Sequence, residues 1–509
     1  MKSDIFELLR RRVAAPAGLV LLGLVPALAA AQDLPEMVKA GKALFETQFV
    51  AGESIAPGGD GLGPVFNHVS CAACHHQGGL GGAGPIDVNA SVLSADPPKL
   101  ATAPERNEMA RALKAVHPGL LSDEGEVTSI ILHRFGSDGR YNALRERLLG
   151  VTIPLRPTEE EVLELQQTLS RLPVQPLNAA RALRLSITQR NTTPLFGDGL
   201  IDQVSDGMLR AIEAAQSKHP EISGRVAPVD NTKLGRFGWR GQIEHLHDFV
   251  LGACANELGL EVPTTSQPID PLRPTYKPGG LDLTGPQCRS LTAFVASLPA
   301  PQVLKPKDPD KFKAVERGYE VFKTVGCAVC HVETVGPAQG VYSDLLLHDM
   351  GPALADPLPA RPTYVVVEQR QIPSEATLEQ EGVIVQTKIV PAAPQYYGGG
   401  SGFSTLPTET LYKTSRGYTT VSQDSSNRRL ATRTKYEPVP TNLTQEWRTP
   451  PLWGLADSGP YLHDGRAASV VEAIALHGGE AEPTMKRFLA LSTADRMAML
   501  EFLNCLQAP

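Results

Sequence analysis

The pentapeptides Cys71-Ala72-Ala73-Cys74-His75 and Cys327-Ala328-Val329-Cys330-His331 share one pattern, CxxCH. With seven Cys and 12 His in 509 residues, chance placement would produce roughly 0.002 such pentapeptides, so two copies demand a cause. Two thiols three residues apart share one helical turn, where each can bond a haem vinyl group. The next residue, His, then reaches the iron. A redox dithiol has no need of the trailing His, and a zinc site would want further paired ligands. The expectation is therefore two covalently bound haem c groups, held by Cys71, Cys74, Cys327 and Cys330, with His75 and His331 as proximal ligands. Cys254, Cys288 and Cys505 remain, and the sequence leaves open a Cys254–Cys288 disulfide or three buried thiols.

Covalent haem c attachment follows export in bacteria, and the N-terminus agrees with export. Lys2 and Arg10–Arg12 precede an Ala/Leu/Val-rich stretch over 13–30, with Ala29 and Ala31 placed for cleavage before Gln32. This is the three-part pattern of a secretory signal, so residues 1–31 are read as a signal peptide and the mature chain as periplasmic. Beyond residue 31 no apolar run reaches the roughly 18 residues a membrane span needs, so no retained span is expected. A net charge of −7 argues against nucleic acid as a partner. With 46 Gly, 43 Pro and only 6% aromatics, many loops around a compact helical core are favoured over an aromatic-rich sandwich.

The pattern along the chain repeats. Gly63 and Phe66 precede Cys71 by eight and five residues, and Gly318 and Phe322 precede Cys327 by nine and five. The latter pair ends a helix-like run, Phe312–Val325. Leu281–Leu298 and Thr484–Leu506 both read as closing helices, the second entered through Ser492-Thr493. Arg190–Gly197 resembles Arg448–Gly454, and Trp239-Arg240-Gly241-Gln242 resembles His463-Asp464-Gly465-Arg466, which suggests duplication. The reading is a mainly α fold of two class I cytochrome c-like haem lobes, 32–300 and 311–509, joined by a proline-rich linker at 301–310. Insertion 101–173 looks helical, over Glu105–Val116, Glu126–Phe135, Tyr141–Leu149 and Val162–Leu172. Insertion 357–440, with β-branched runs Tyr364–Glu368 and Val383–Val390 before Gly398-Gly399-Gly400, reads as one or two β-hairpins with a mobile loop.

Three segments resemble the di-haem oxidoreductase family, whose members carry the labels thiol oxidoreductase or peroxidase. They are Gly61–Asn67, Ser343–Gly351 and the block from Trp447 through His477-Gly478-Gly479-Glu480-Ala481. The family is related to the bacterial di-haem cytochrome c peroxidases and to the MauG group. In the peroxidases the C-terminal haem takes its distal ligand, usually Met, fourteen residues after the His of an HDG turn. Counting from His463-Asp464-Gly465, that position holds His477, which implies bis-His ligation; Met350 and His348 are the rivals. The peroxidase segment Arg-His-Thr-Pro, which supplies a removable distal His, reads Arg190-Asn191-Thr192-Thr193 here. The N-terminal haem is thus open at Asn191, or His117 or His133 fills it.

The resemblance also implies a distal acid at Glu257, a tryptophan between the haems at Trp239, and a calcium ion between the lobes near Asp198 and Ser458–Pro460. Arg190, Arg448 and Arg466 are candidate partners for haem propionates. The implied function is peroxidase-like: reduction of hydrogen peroxide, or MauG-like oxidation of a substrate, at the N-terminal haem. Electrons would pass through the C-terminal haem from a small redox protein. The alternatives are a non-catalytic electron-transfer cytochrome and, on the family label alone, a thiol oxidoreductase.

Overall fold

A computed structural model describes residues 25–96, 103–122, 127, 129–149, 184–216, 218–229, 233–356, 363–373, 410–414, 417–423, 430–439 and 444–509. Residues 1–24 of the expected signal peptide, the expected helix Val162–Leu172, the run Val383–Val390 and the glycines 398–400 lie outside them, while residues 25–31 of that expected leader open the helix Val25–Glu46. The described residues are mostly helical with small sheets, so the fold is mainly α, as expected.

Each lobe is built on a crossing of two helices. In the C-terminal lobe Pro309–Val325 packs against Thr493–Leu503; in the N-terminal lobe Val25–Glu46 packs against Gly285–Ser297. The crossings are close because each has a glycine at the contact. A Cβ on Gly318 would sit on the Ala498 carbonyl, and one on Gly41 on the Ser290 carbonyl. Four residues on, each helix inserts a phenylalanine. Phe45 meets Phe294 edge-on at 5.2 Å, and Phe322 meets Phe502 edge-on at 5.4 Å. Burying each ring contributes about 2–3 kcal/mol.

The true partners of Gly318 and Phe322 are therefore Gly41 and Phe45. The sequence match to Gly63 and Phe66 is corrected: Phe66 sits in a two-residue strand opposite Phe135. A loop segment separates the N-terminal helix from its haem motif, whereas Pro309–Val325 runs almost directly into Cys327. The C-terminal stretch Thr484–Leu506 is also two helices, Glu482–Leu489 and Thr493–Leu503, the second capped by Ser492. Pro309 and Asp310, expected as linker, already open the helix Pro309–Val325, which Asp308 caps.

The N-terminal insertion is less helical than its pattern suggests. Ala103–Val116 and Arg140–Leu149 are helices, but within the expected helix Glu126–Phe135 the chain forms the strand Ile130–Ile131. That strand pairs with Ala90–Asp96, which pairs in turn with Arg184–Arg190. Leu93, Ile130, Leu185 and Ile187 are buried from this sheet into a separate apolar core with Leu113 and Leu120. The sheet has a positional role, since its last strand ends at Arg190 and delivers Asn191 to the lobe interface. The C-terminal insertion is a four-stranded antiparallel sheet in the order Thr363–Pro373, Leu430–Val439, Gly417–Gln423, Thr410–Thr414. Thr410–Thr414, Gly417–Gln423 and Leu430–Val439 make two successive hairpins that share the middle strand, in keeping with the hairpin reading, and Thr363–Pro373 adds along Leu430–Val439.

Candidate haem pockets

The two lobes interlock by reciprocal hydrogen bonds. Asn191 N–H donates to the His463 carbonyl at 2.8 Å, and Arg448 N–H donates to the Trp239 carbonyl at 2.9 Å. In the two sequence echoes Asn191 matches Arg448 and Trp239 matches His463, so each lobe gives the other the same bond. The flanking bridges Phe237↔Ile243 and Tyr461↔Ala467 repeat as well. Next to each, Leu195 N–H reaches Gly81 O at 2.8 Å and Leu452 N–H reaches Val341 O at 3.0 Å.

One cavity in each lobe opens on a CxxCH motif. The first is lined by Cys71, Cys74 and His75, with Phe45, Asn191, Trp239, Ala253, Glu257 and Arg448. The second is lined by Cys327, Cys330 and His331, with Trp239, His348, Met350, Arg448, His463 and His477. Trp239, Asn191 and Arg448 belong to both walls.

The histidines are set up alike. His75 Nδ1 lies 3.0 Å from Gly82 O, His331 Nδ1 2.8 Å from Tyr342 O, and His477 Nδ1 2.7 Å from Ala473 O. A carbonyl only accepts, so each Nδ1 carries the proton and each Nε2 keeps its lone pair, the arrangement of a metal-ligating histidine. Burial lowers all three, His75 and His331 to about 4, so they are neutral at pH 7. Phe45 tilts against His75 at 6.1 Å and 50°, Phe322 against His331 at 6.4 Å and 50°. With paired thiols, an imidazole held through Nδ1 and a buried guanidinium in each cavity, the residues present fit a haem c.

His348 differs. Its Nε2 is 2.9 Å from Asp344 and its Nδ1 3.0 Å from Glu480. Burial pulls its pKa down, but the two carboxylates and Cys330 outweigh that and raise it well above the usual value. With both nitrogens engaged it has no lone pair to give. Met350 lines the second cavity without such a constraint.

Fourteen residues past the matched turns the linings of the two cavities diverge. A helix begins seven residues after Trp239, Leu246–Leu258, and another seven after His463, Val470–Ala475. Position 477, fourteen after His463, therefore matches position 253, fourteen after Trp239, and that residue is alanine. One turn beyond Ala253 stands Glu257. Burial raises the Glu257 pKa, and Asn67 Nδ2 donates to its Oε2 at 2.6 Å, partly opposing the rise. Asn67 is itself buried and accepts from Arg134 N–H. Its part was not read from the sequence, although it ends the Gly61–Asn67 motif.

Several candidates lie elsewhere. His117 accepts from Gly119 N–H, and His133 Nε2 is 2.8 Å from Asn256 O; neither lines the first cavity. Arg466 pairs with Asp464 at 2.6 Å and reaches Ala353 O, away from both cavities. The side chain of Asn191 is spent on Asn89 Oδ1 at 3.0 Å and Gly84 O. Arg190 lines the first cavity but pairs with buried Asp356, which Arg240 also approaches at 3.6 Å and His463 at 3.7 Å. Burial alone would raise the Asp356 carboxyl, yet Arg190, His463 and Arg240 hold it far below the usual range. Over this cluster Trp447 stacks on His463 at 3.6 Å, with the Arg240 guanidinium 4.0 Å from its ring. Asp356, Arg240 and Trp447 lack any motif spacing that would have singled them out.

Asp198 lines the second cavity with Ser458 and Pro460, where calcium was expected. Burial pushes its pKa up to about 8, against the pull of Arg448. Among the described residues no group of three ligating side chains gathers there; the one such group is Cys330, Asp344 and His348. Cys254, Cys288 and Cys505 are buried free thiols. Among the described residues no helix is long and apolar enough to cross a membrane.

No curated protein matches the sequence. Among solved structures, one titled "Kuenenia stuttgartiensis Hydrazine Synthase Pressurized with 20 bar Xenon" is similar at 15% identity over 63% of this chain and 73% of that one. Its TM-score of 0.27 is too low for the likeness to bear on the fold. A family model described as "Di-haem oxidoreductase, putative peroxidase" matches residues 25–95 and 440–506. The first stretch holds the N-terminal helix and Cys71–His75, and the second holds Arg448, His463 and His477. On these two stretches the chain is similar to the di-haem oxidoreductases, the family its motifs resemble.

Proposed function

We propose that this is an exported di-haem c-type oxidoreductase that reduces hydrogen peroxide in its N-terminal cavity and takes electrons through its C-terminal one. When bound, a haem c in each cavity supplies one of the two electrons in H2O2 + 2H+ + 2e− → 2H2O. Cys71, Cys74 and His75 hold the first group, and Cys327, Cys330, His331 and His477 the second. The observation that carries the reading is the exchange of His477 for Ala253. A methyl group offers no ligand, so Ala253 leaves room in the first cavity for a small molecule, and Glu257 lines the same cavity.

Glu257, whose pKa burial raises, takes the proton from one peroxide oxygen and returns it to the other, which then leaves as water. Asn67 keeps the carboxyl in register through Oε2. Trp239, in the wall of both cavities with Nε1–H on the Asn191 carbonyl at 3.1 Å, is the aromatic bridge for electrons. The leader-like segment 1–31 supports a periplasmic location, and a small redox protein is the proposed electron donor.

Low-temperature EPR of the oxidised holoprotein, with and without peroxide, tests this. One high-spin and one low-spin ferric signal are expected, the former consumed by peroxide after half-reduction. Two low-spin signals indifferent to peroxide would make the protein an electron carrier and sink the proposal.

A further inference from the structure

Arg448 is the internal counterpart of Asn191, and the exchange puts a charge where the first lobe has an amide. The residue is buried, 8% exposed, and lines both cavities. Its Nε donates to Gly238 O at 2.9 Å, while Nη1 has no hydrogen-bond partner. The neighbouring buried arginines are matched to carboxylates: Arg190 and Arg240 to Asp356, and Arg236 to Asp206. Among the described residues no carboxylate stands within ion-pair distance of Arg448. Desolvation brings its pKa down to about 10, with Asp198 and Asp344 opposing from farther off. A buried charge in this state is disfavoured until an anion completes it. The wall shared by the two cavities is therefore short of negative charge.

We propose that Arg448 is a shared anchor for acidic side arms of the groups in both cavities, so that one guanidinium ties the two redox centres together. This rests on the reading that each cavity takes a haem c, whose two propionates are the acidic arms. A guanidinium presents donors along separate edges of a rigid plane, which lets it serve a carboxylate on either side; an ammonium is a single point. Its positive charge, held in a medium of low dielectric, favours the more electron-rich state of both centres.

The test is a spectroelectrochemical titration of the holoprotein and its R448Q and R448K variants, beside a haem count by pyridine haemochrome. Both midpoint potentials should fall in R448Q, and both by a smaller amount in R448K, which keeps the charge and loses the fork. A fall confined to one centre, or no fall, overturns the shared anchor. If R448Q does not accumulate, the same criterion applies to R448K. A wild-type count below two haems per chain overturns instead the reading of the cavities, and the anchor with it.

Discussion

On the proximal side the two lobes are nearly superimposable in chemistry. A glycine lets the helices cross, a phenylalanine four residues later tilts at 50° against the CxxCH histidine, and a backbone carbonyl fixes the Nδ1 proton. Fourteen residues past the matched turn, one cavity is lined by an imidazole and the other by a methyl group. On the proposed function, the frame that would hold the cofactor is common to both lobes, and the residue that would decide what else can reach it differs. On that reading, one side chain would set which cavity is reactive.

The strongest way to break this comparison is to erase one lobe's attachment. Replacing Cys71 and Cys74 by Ser should cut the haemochrome count from two to one per chain, and Cys327→Ser with Cys330→Ser should do the same. Next comes swapping the distal residues. Ala253→His should turn the high-spin EPR signal low-spin and abolish peroxide reduction, while His477→Ala should create a second high-spin signal. If Ala253→His left the first centre high-spin, the two positions would not be equivalent.

Glu257→Gln should leave the high-spin signal in place and lower the peroxide rate by about 10²–10⁴-fold in stopped-flow assays. Asn67→Ala acts more gently. The Asn67 hydrogen bond lowers the Glu257 pKa, so its loss raises that pKa further, and the pH dependence due to Glu257 should move to higher pH. The smallest effects belong to the shared frame. Gly41→Ala and Gly318→Ala should each cost about 1–3 kcal/mol in denaturant titrations, through overpacking at a helix crossing. Unequal costs would show that one crossing tolerates separation better than the other.

Much of the proximal architecture was legible because it is local. CxxCH, the capped closing helices and the His463-Asp464-Gly465 turn are short patterns whose physics lies within a few residues. What escaped depends on distant pairing. Ile130–Ile131 looked helical because its strand partner Ala90–Asp96 lies some way up the chain, and beyond that strand comes Arg184–Arg190. Gly41 and Phe45 were passed over because intervening chain carries them away from Cys71, and proximity to the motif favoured Gly63 and Phe66. Ala253 had no signal of its own, since an alanine in a helix is unremarked until its counterpart is a ligand. Arg240, Trp447 and Asp356 meet only after folding, and Arg448 reads as one more arginine until its partners are sought.

The bonds exchanged between Asn191 and His463 and between Arg448 and Trp239 have a bearing on ancestry. Two like units that hand each other the same contact form an isologous pair, the commonest geometry of a homodimer. In a homodimer a single gene writes both copies, so a histidine lost from one distal wall is lost from the other. Once the two units are written in tandem, each can drift alone. The lobes then behave as a dimer that dilution cannot separate, with one half free to exchange a histidine for an alanine while the other keeps it.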